Sequence, residues 1–386
     1  MSAAQDIAIV GVGETEFVRK SPDHVGSLVV QAARAACEDA GIDPSEINGF
    51  VTESSSMPGL VPPDEVAAAL GVKERCFTGA ALIGGAGVVG APGLARLAIE
   101  SGHASMVLSY FGADFGSSPG GPYAFPAAVQ TKRSLEIPVG WYGQPLLFAA
   151  MAQRYAYEFG LTAEQQAAVV ISNRDHASRT PGAMKRDPLT FEDYLASPMI
   201  AEPFRALDCS LINDGATAFL MTTRERARDL RRSPVLVAGV SSASYPTTQS
   251  SYFSQKSDYL RTPAVLTGES ALAQAGVRRE DIDVAEIYDC FTISLLLQLE
   301  DLGLAERGHG ADLFTSGSTG IGGSLPVNTH GGLLSHAYTV GASHVVEGVR
   351  QLRGERGDNQ VEGAEVALVA GLGVPDHATV VLTVDR

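Results

Sequence analysis

The sequence is poor in charged residues, and most of the charges that it has are negative. Charged residues make up 19% of the 386 positions, against about 25% in ordinary soluble proteins. The 28 lysines and arginines are outnumbered by 44 aspartates and glutamates, which gives a net charge of -16. Because binding to a phosphate backbone needs an excess of basic residues, this balance excludes a general nucleic-acid-binding surface.

Cysteine is also scarce. The four cysteines, Cys37, Cys76, Cys209 and Cys290, are widely separated along the chain. Zinc sites and thiol redox centres use close pairs such as C-x-x-C, so neither is expected here. The eight histidines likewise lack the spacing of a metal-binding helix. We therefore predict no metal site in this chain.

No segment has the features of a signal peptide or a membrane span. The first apolar run, Ile7 to Val12, follows no basic stretch and is typical of a β-strand. One uncharged stretch, residues 77–95, contains several glycines and Pro92, which makes it too irregular for a lipid-facing helix. We expect a cytoplasmic protein that buries this stretch as a loop and a helix in its interior.

The chain contains an internal duplication. A strand-like run and a helical pattern from about Val25 to Ala40 are matched in the second half by the run Pro234 to Val240 and a helix from about Pro263 to Ala275. The nine residues that begin at Ala40 align with the nine that begin at Ala275 at a constant offset of 235. Alternating strands and helices predict an α/β fold with parallel sheets covered by helices.

The duplication predicts two similar halves, residues 1–232 and 233–386, with an inserted loop region at about 114–203 in the first half. The inserted region mixes aromatic, proline-rich and charged segments. We expect it to meet any anionic ligand, since most of the clustered basic residues lie there: Lys132, Arg133, Arg154, Arg174, Arg179, Lys185 and Arg186.

Several blocks of sequence resemble the thiolases of the sterol-carrier-protein-x type, and together they span essentially the whole chain. The blocks are FGLT at 159–162, NR at 173–174, RDPLTFED at 186–193, LDC at 207–209, NDGA at 213–216, EIYDCF at 286–291 and the segment 328–343. This resemblance implies the thiolase fold, in which duplicated βα halves form a five-layered αβαβα arrangement. It also implies a loop region over the site and a tight homodimer.

The residues that perform thiolase chemistry are missing from the matching positions. Where the family pattern has its nucleophilic cysteine, counting along the helix places Gly85, and the two catalytic histidines are replaced by Tyr288 and Tyr338. Residues 363–386 contain no cysteine that would serve as a second thiol. Covalent acyl transfer needs a thiolate and a group that activates it, so its usual form is excluded.

This combination of glycine for cysteine and tyrosine for both histidines is similar to the lipid-transfer-protein group of thiolase-like aldolases of bacterial steroid side-chain degradation. That resemblance implies retro-aldol cleavage of a β-hydroxyacyl-CoA. The implied substrate is a 17-hydroxy steroid with a C3 acyl-CoA side chain, and the products are a 17-ketosteroid and propionyl-CoA.

The same resemblance implies a heterocomplex with a small partner protein that contains a zinc ribbon and an OB-fold. Any zinc would belong to that partner. Coenzyme A would enter only as part of the substrate, so this chain would need no cofactor of its own.

Retro-aldol cleavage needs a base for the hydroxyl proton and an acid for the enolate carbon. We expect Tyr288 and Tyr338 to be this pair, without assigning base and acid between them. A phenol with a pKa of about 10 is ionised in roughly one part in a thousand at pH 7, so at least one tyrosine needs support from a charge or a dipole. His330 and His336 are the nearest candidates in the sequence.

The enolate oxygen needs hydrogen-bond donors. We expect these from the backbone at Gly85, Gly371 and Gly373, since a glycine allows another group to approach the main chain closely. Replacing a cysteine by Gly85 also makes room for a branched α-carbon.

Two alternatives stay open at this point. One is a non-catalytic subunit that binds acyl-CoA and acts as a scaffold for a partner enzyme, as the missing cysteine allows. The other is a ketoacyl-CoA thiolase with a displaced nucleophile, either Cys290, which adjoins the expected site, or Cys76.

Overall fold

The computed structural model of the chain describes residues 6–53, 61–119, 130–247, 256 and 258–386. The strands are β1 (Ile7–Glu14), β2 (Gly49–Thr52), β3 (Phe77–Ala80), β4 (Met106–Asp114), β5 (Met199–Ala201), β6 (Phe204–Arg205), β7 (Asp214–Thr223), β8 (Val235–Ser244), β9 (Val284–Ile287), β10 (Val366–Leu372) and β11 (Asp376–Val384). The α-helices are α1 (Val25–Ala40), α2 (Pro63–Leu70), α3 (Gly84–Glu100), α4 (Gln144–Phe159), α5 (Ala163–Arg179), α6 (Phe191–Ala196), α7 (Arg224–Ala227), α8 (Ala264–Ala275), α9 (Thr292–Asp301), α10 (Asp312–Thr315) and α11 (Ala342–Leu352).

Nine strands form one sheet in the order β3-β2-β4-β7-β1-β8-β11-β10-β9. On one side of the β1–β8 contact, β1 and β4 are both antiparallel to β7, and β4 is parallel to β2. On the other side, β8 and β10 are both antiparallel to β11, and β10 is parallel to β9. The same arrangement therefore occurs twice, as the internal duplication predicts. The prediction of parallel sheets is wrong, since the sheet is mixed: β1, β4 and β8 pair antiparallel with their neighbours in the middle of the sheet, and in the described part of the chain parallel pairs occur only toward its two edges. The boundary between residues 232 and 233 stays a prediction.

Most of the buried apolar residues form three packed layers between helices and sheet. Helices α3 and α11 share the central core with one face of each half of the sheet. The opposite face of the first half packs on α1 and α2, and that of the second half packs on α5, α8 and α9. The order helix, sheet, helix, sheet, helix gives the five layers expected from the sequence.

The first strand shows why both faces of this sheet are apolar. Along a strand, successive side chains point to opposite faces. Ile7 and Ile9 contribute to the central core, whereas Ala8 and Val10 contribute to the outer core beneath α1. A strand that is covered on both faces reads as a continuous apolar run, which is how it is recognised in the sequence.

The helices α1 and α8, which the sequence predicts to be equivalent, end in the same way. Each is followed by a glycine in the left-handed conformation, Gly41 with φ 75° and Gly276 with φ 65°. Glycine adopts this conformation without a steric penalty and so terminates the helix. The bounds of α1 are those predicted, and α8 begins one residue later than predicted.

The uncharged stretch at 77–95 forms β3 and most of α3, and nearly all of the helix in this stretch is buried. Packing within the protein thus accounts for its apolar character. None of the helices in the described ranges is long and apolar enough to cross a membrane.

The inserted region is more regular than a loop. Its described part contains α4, α5 and α6, and the last two begin with capping boxes at Thr162 and Thr190. Both lie in sequence blocks that resemble the thiolases, FGLT and RDPLTFED. A capping box satisfies backbone N–H groups at a helix start and so specifies the start locally.

Many of the basic side chains of this region are neutralised or used within the protein. Lys132, Arg154 and Arg179 each pair with an acidic residue four positions away. Arg174 and Arg186 donate hydrogen bonds to protein oxygens. This pairing counts against the expectation that the cluster is an anion-binding site.

Candidate active site

Two tyrosines meet at the end of the second-half sheet. Tyr288 directly follows β9, and Tyr338 lies two residues after a π-helical turn, Gly332–His336. Their hydroxyl oxygens are 3.0 Å apart, within hydrogen-bonding distance. The rings meet edge to face with centroids 6.5 Å apart. The structure therefore brings together the two side chains that the sequence indicates as a proton-transfer pair.

The tyrosine pair forms part of the wall of a cavity of about 390 Å³. This volume lies within the usual range of small-molecule sites. Most of the wall is apolar, with side chains from the inserted region and from both halves: Phe115, Phe148, Ile200, Leu211, Phe291 and Leu372. Such a wall suits a large apolar ligand that presents its reactive polar group to the tyrosines.

Two buried asparagines hold the backbone next to the tyrosines. The side chain of Asn328 accepts a hydrogen bond from the Ile287 N–H at 2.7 Å and donates one to the Ile287 carbonyl at 2.9 Å. The Asn213 side chain accepts from the Tyr338 N–H at 2.7 Å and donates to its carbonyl at 3.4 Å. Since Ile287 precedes Tyr288, each asparagine fixes the chain at or beside one tyrosine.

The neighbouring Asp289 links the two tyrosine-bearing segments. Its carboxylate accepts hydrogen bonds from the backbone of Leu333 at 2.7 Å and Leu334 at 3.4 Å, both in the π-helical turn. It also accepts one from the Asn173 side chain at 2.6 Å. This carboxylate therefore joins the segment of Tyr288 to the turn that leads to Tyr338.

Gly85 lies in the first turn of α3 and packs against the ring of Tyr288. A Cβ atom at this position would be 2.6 Å from Tyr288 Cδ2 and 2.7 Å from the Leu372 carbonyl oxygen. Real Cβ atoms do not approach so closely, because the protein interior is close-packed. The ring of Tyr288 thus takes the space that a side chain at position 85 would need. Tyr288 lines the cavity, whereas Gly85 behind it does not.

The oxyanion role expected for the three glycines has little support in this geometry. Gly371 packs directly on Gly85, since a Cβ at 371 would be 2.1 Å from the Gly85 carbonyl oxygen. Gly373 does line the cavity, but its N–H donates to the Asp376 carbonyl at 2.9 Å. These glycines allow the end of β10 to lie against the start of α3, and their catalytic role stays a prediction.

His330 and His336 lie in a buried polar cluster outside the cavity lining. Their ring centroids are 5.0 Å apart, and the His330 ring also contacts His344 at 4.9 Å. His330 Nδ1 is 3.0 Å from a Glu286 carboxylate oxygen, but the two groups are not aligned for a hydrogen bond. Neither His330 nor His336 is a hydrogen-bond partner of a tyrosine hydroxyl in the part of the chain described.

Burial keeps these two histidines neutral. It lowers the pKa of His330 and that of His336 to about 3, because a charged imidazole loses its hydration in the interior. A neutral imidazole without contact to the hydroxyls does not stabilise a tyrosinate. The support for a tyrosinate that the sequence predicts from these residues is not supplied by direct contact.

The tyrosines themselves are also neutral. Burial, followed by the proximity of Tyr338, raises the pKa of Tyr288 well above its usual value. Burial, followed by the proximity of Cys290, raises the pKa of Tyr338. Among the described residues, no group of three or more histidine, cysteine or acidic side chains is arranged to hold a metal ion. The site is therefore an uncharged phenol pair in an apolar wall.

Comparison with known proteins identifies the family. A family profile, Thiolase C-terminal domain-like, matches residues 246–384. The Steroid side-chain-cleaving aldolase of Thermomonospora curvata is 34% identical over 389 residues, which cover 98% of each chain. The chain belongs to the thiolase superfamily.

Two further relatives lie close within this superfamily. The 17-hydroxy-3-oxo-4-pregnene-20-carboxyl-CoA lyase of Mycobacterium tuberculosis is 35% identical over 378 residues, 95% of this chain and 97% of the relative. The solved structure of the Ltp2-ChsH2(DUF35) aldolase superposes with a TM-score of 0.91 at 33% identity, covering 99% of this chain and 98% of that one. The predicted thiolase fold is confirmed.

This thiolase-superfamily member has cysteines in its cavity wall, but they are not activated. Cys209 and Cys290 line the cavity, and burial raises the pKa of each thiol to about 12. A thiol is an effective nucleophile only as its thiolate. Cys76 is exposed and does not line the cavity. These observations count against a thiolase with a displaced cysteine.

Three residues of this site have roles that the sequence does not predict. Asn213 and Asn328 lie in blocks that carry the thiolase resemblance, but their contacts to the tyrosine-bearing backbone are visible only in the structure. Arg19 lines the cavity and stands apart from the basic cluster of the inserted region. No motif in the sequence marks it.

Proposed function

We propose that this thiolase-superfamily protein is a lyase that cleaves a β-hydroxyacyl-CoA by a retro-aldol reaction. We further propose that its substrate is a 17-hydroxy steroid with a C3 acyl-CoA side chain, which yields a 17-ketosteroid and propionyl-CoA. The observation that carries the proposal is the hydrogen-bonded pair of neutral tyrosines, 3.0 Å apart, in an apolar cavity wall. The names of the two close relatives support the same substrate class.

The reaction moves one proton from oxygen to carbon. The substrate hydroxyl loses its proton, the bond between the carbinol carbon and the α-carbon breaks, and the bond electrons form the thioester enolate. The α-carbon then takes up a proton. Because the two phenols are hydrogen-bonded, one of them accepts the hydroxyl proton while the other delivers its own, with a proton passing between them. Neither tyrosine needs to become a free tyrosinate, and the relay works with either tyrosine facing the hydroxyl.

This proton relay predicts the pH dependence of cleavage. The raised pKa values of Tyr288 and Tyr338 place both ionisations above the normal working range. We therefore expect the rate of the cleavage step to change by less than about twofold between about pH 6 and pH 9, since the active form is the neutral pair. Single-turnover cleavage rates across this range provide the measurement. A rise of about tenfold per pH unit would instead identify a free tyrosinate as the base.

Product analysis tests the function itself. The chain, co-expressed with its small partner, is incubated with a 17-hydroxy steroid that carries a branched C3 acyl-CoA, and the products are identified by mass spectrometry. We expect propionyl-CoA and a 17-ketosteroid without added free coenzyme A. A requirement for free coenzyme A would favour a thiolase. Binding of coenzyme A without turnover of the thioester would favour the non-catalytic scaffold.

The assembly is part of this proposal. We propose a homodimer and a complex with a small partner that contains a zinc ribbon and an OB-fold. The strand β3 lies at the edge of the sheet, and an edge strand offers unpaired backbone groups to another chain. The name of the Ltp2-ChsH2(DUF35) aldolase has two components, which supports a partner. We propose that any zinc belongs to the partner and that coenzyme A enters as part of the substrate.

We propose a cytoplasmic location for this assembly. None of the four cysteines, all of which the structure describes, forms a disulfide bond. This holds for the buried Cys37 and Cys290 and for the exposed Cys76 alike. Free thiols are typical of proteins in a reducing compartment.

A further inference from the structure

Arg19 lies at the wall of the cavity, in the segment between β1 and α1. It is exposed, and it is the one lysine or arginine among the residues described as lining the cavity. The rest of the wall is mainly apolar or carries neutral polar groups such as Gln144 and Ser210. A single cation on an apolar wall indicates a ligand with an apolar body and an anionic part.

The backbone around Arg19 is held firmly. Val18 and Asp214 exchange backbone hydrogen bonds at 3.1 and 2.8 Å, and the Asp214 carboxylate accepts from the Ser21 N–H at 2.7 Å. Gly116 allows the Arg19 carbonyl to pack closely, since a Cβ at 116 would be 1.7 Å from that oxygen. The base of the arginine side chain is therefore fixed before any ligand binds.

The guanidinium group keeps binding capacity for an anion. Its Nη1 donates to the Ile212 carbonyl at 2.8 Å, which directs the side chain along the cavity wall. No carboxylate in the described part of the chain lies within ion-pair distance of it. By contrast, several other arginines each form an ion pair with a carboxylate, among them Arg154, Arg179, Arg224 and Arg350. Arginine presents five N–H donors in a planar fork that matches phosphate oxygens.

The charge of the whole chain makes such a cation important. With a net charge of -16, the protein repels a polyanionic ligand at long range. A coenzyme A thioester carries three phosphate groups, so its binding needs a local positive charge near the cavity. Lys132, Arg154 and Arg179 of the inserted region are already paired with acidic residues.

We propose that Arg19 binds a phosphate group of the coenzyme A part of the substrate and so anchors the thioester with its acyl end toward the tyrosines. The inference rests on the proposed function for its substrate class. It assigns to Arg19 a role in binding, while proton transfer stays with the tyrosine pair.

The test compares two thioesters of the same steroid acid in the complex with the partner. One is the coenzyme A thioester, and the other is the pantetheine thioester, which lacks all phosphates. For Arg19→Ala we expect KM for the coenzyme A thioester to rise about tenfold with kcat unchanged. This is the usual effect of losing one charged hydrogen bond, here the bond between the guanidinium group and a phosphate. KM for the pantetheine thioester should stay the same. Arg19→Lys should restore part of the loss.

Lys20→Ala is the matched control. Lys20 is the adjacent cation, is exposed and does not line the cavity, so its loss should leave KM for both thioesters unchanged. An equal rise for both thioesters after Arg19→Ala would place Arg19 on the acyl or steroid part and overturn the proposal. An unchanged KM for the coenzyme A thioester would overturn it as well.

Calorimetry separates this inference from the proposed function. If the wild-type complex cleaves neither thioester, the lyase proposal fails, but binding of free coenzyme A can still be measured. About tenfold weaker binding in Arg19→Ala, with no change in Lys20→Ala, would then support the phosphate contact alone. Equal affinities in the wild type and Arg19→Ala would overturn it.

Discussion

Replacing either Tyr288 or Tyr338 by phenylalanine is expected to lower the rate of steroid thioester cleavage by about 10²- to 10⁴-fold, the usual contribution of a positioned proton-transfer group. Each hydroxyl is needed because the relay passes through both oxygens, which are 3.0 Å apart. Loss of one hydroxyl breaks the relay, so the double variant should be only slightly slower than each single variant. Single-turnover rates with the steroid thioester provide the measurement.

Tyr110→Phe is the control for removing a buried phenol hydroxyl. The Tyr110 hydroxyl donates to the Val61 carbonyl at 2.6 Å and lies outside the cavity lining. Its loss leaves a buried acceptor unpaired, which costs about 1–3 kcal/mol of stability. Cleavage by this variant should be unchanged. Wild-type turnover in both folded variants of the tyrosine pair would disprove their role in proton transfer.

Gly85→Ala is expected to have the second large effect. The added Cβ would meet the Tyr288 ring at 2.6 Å and the Leu372 carbonyl at 2.7 Å, so the ring or the backbone has to shift and the geometry of the tyrosine pair is disturbed. Overpacking of this kind costs about 1–3 kcal/mol of stability. A displacement of about 1 Å of a catalytic group lowers the rate by about 10²-fold. Chemical denaturation and single-turnover kinetics measure the two effects.

The same helix contains the control. A Cβ at Gly93 would meet the nearest Val240 methyl group at 3.5 Å, which is an ordinary contact. Gly93→Ala should therefore leave cleavage unchanged and leave stability the same or slightly higher, since alanine favours the helix by up to about 1 kcal/mol. Equal cleavage rates in Gly85→Ala and the wild type would show that the position of the Tyr288 ring does not depend on the glycine.

Gly85→Cys tests whether a cysteine at this position is enough to restore thiolase chemistry. The variant brings a thiol to the position where the thiolase pattern has its nucleophile, but it has the same clash with Tyr288 and no histidine to activate it. We expect loss of steroid cleavage and no gain of thiolase activity. The glycine and the tyrosine therefore have to change together if the chemistry is to change.

Much of the fold follows from the sequence because its signals are local. The apolar run from Ile7 to Val12 and the glycine after α1 specify a buried strand and a helix end through neighbouring residues. The capping boxes at Thr162 and Thr190 do the same for two helices of the inserted region. The constant offset of 235 between the halves indicates that the order of strands and helices is repeated. The two halves show the same strand pairing because they share this order.

Part of the site is also determined by the sequence alone. The absence of a cysteine at Gly85 and the presence of Tyr288 and Tyr338 in place of histidines exclude the usual form of the covalent thiolase mechanism, whatever the exact geometry. The choice of residue types at matched positions decides this point, and no distance is required.

Tertiary packing alone decided how these residues act together. The two tyrosine hydroxyls are 50 positions apart in sequence, and Asn213 holds Tyr338 from 125 positions away. Packing also separated His330 and His336 from the hydroxyls, and it directed Arg174 of the basic cluster to the Ser335 hydroxyl, 161 positions away, against the expectation from sequence. A sequence pattern states which groups are present. Contacts over such separations depend on how distant segments pack, both within the second half and between the two halves, and this packing also sets the distances, the burial and the pKa shifts.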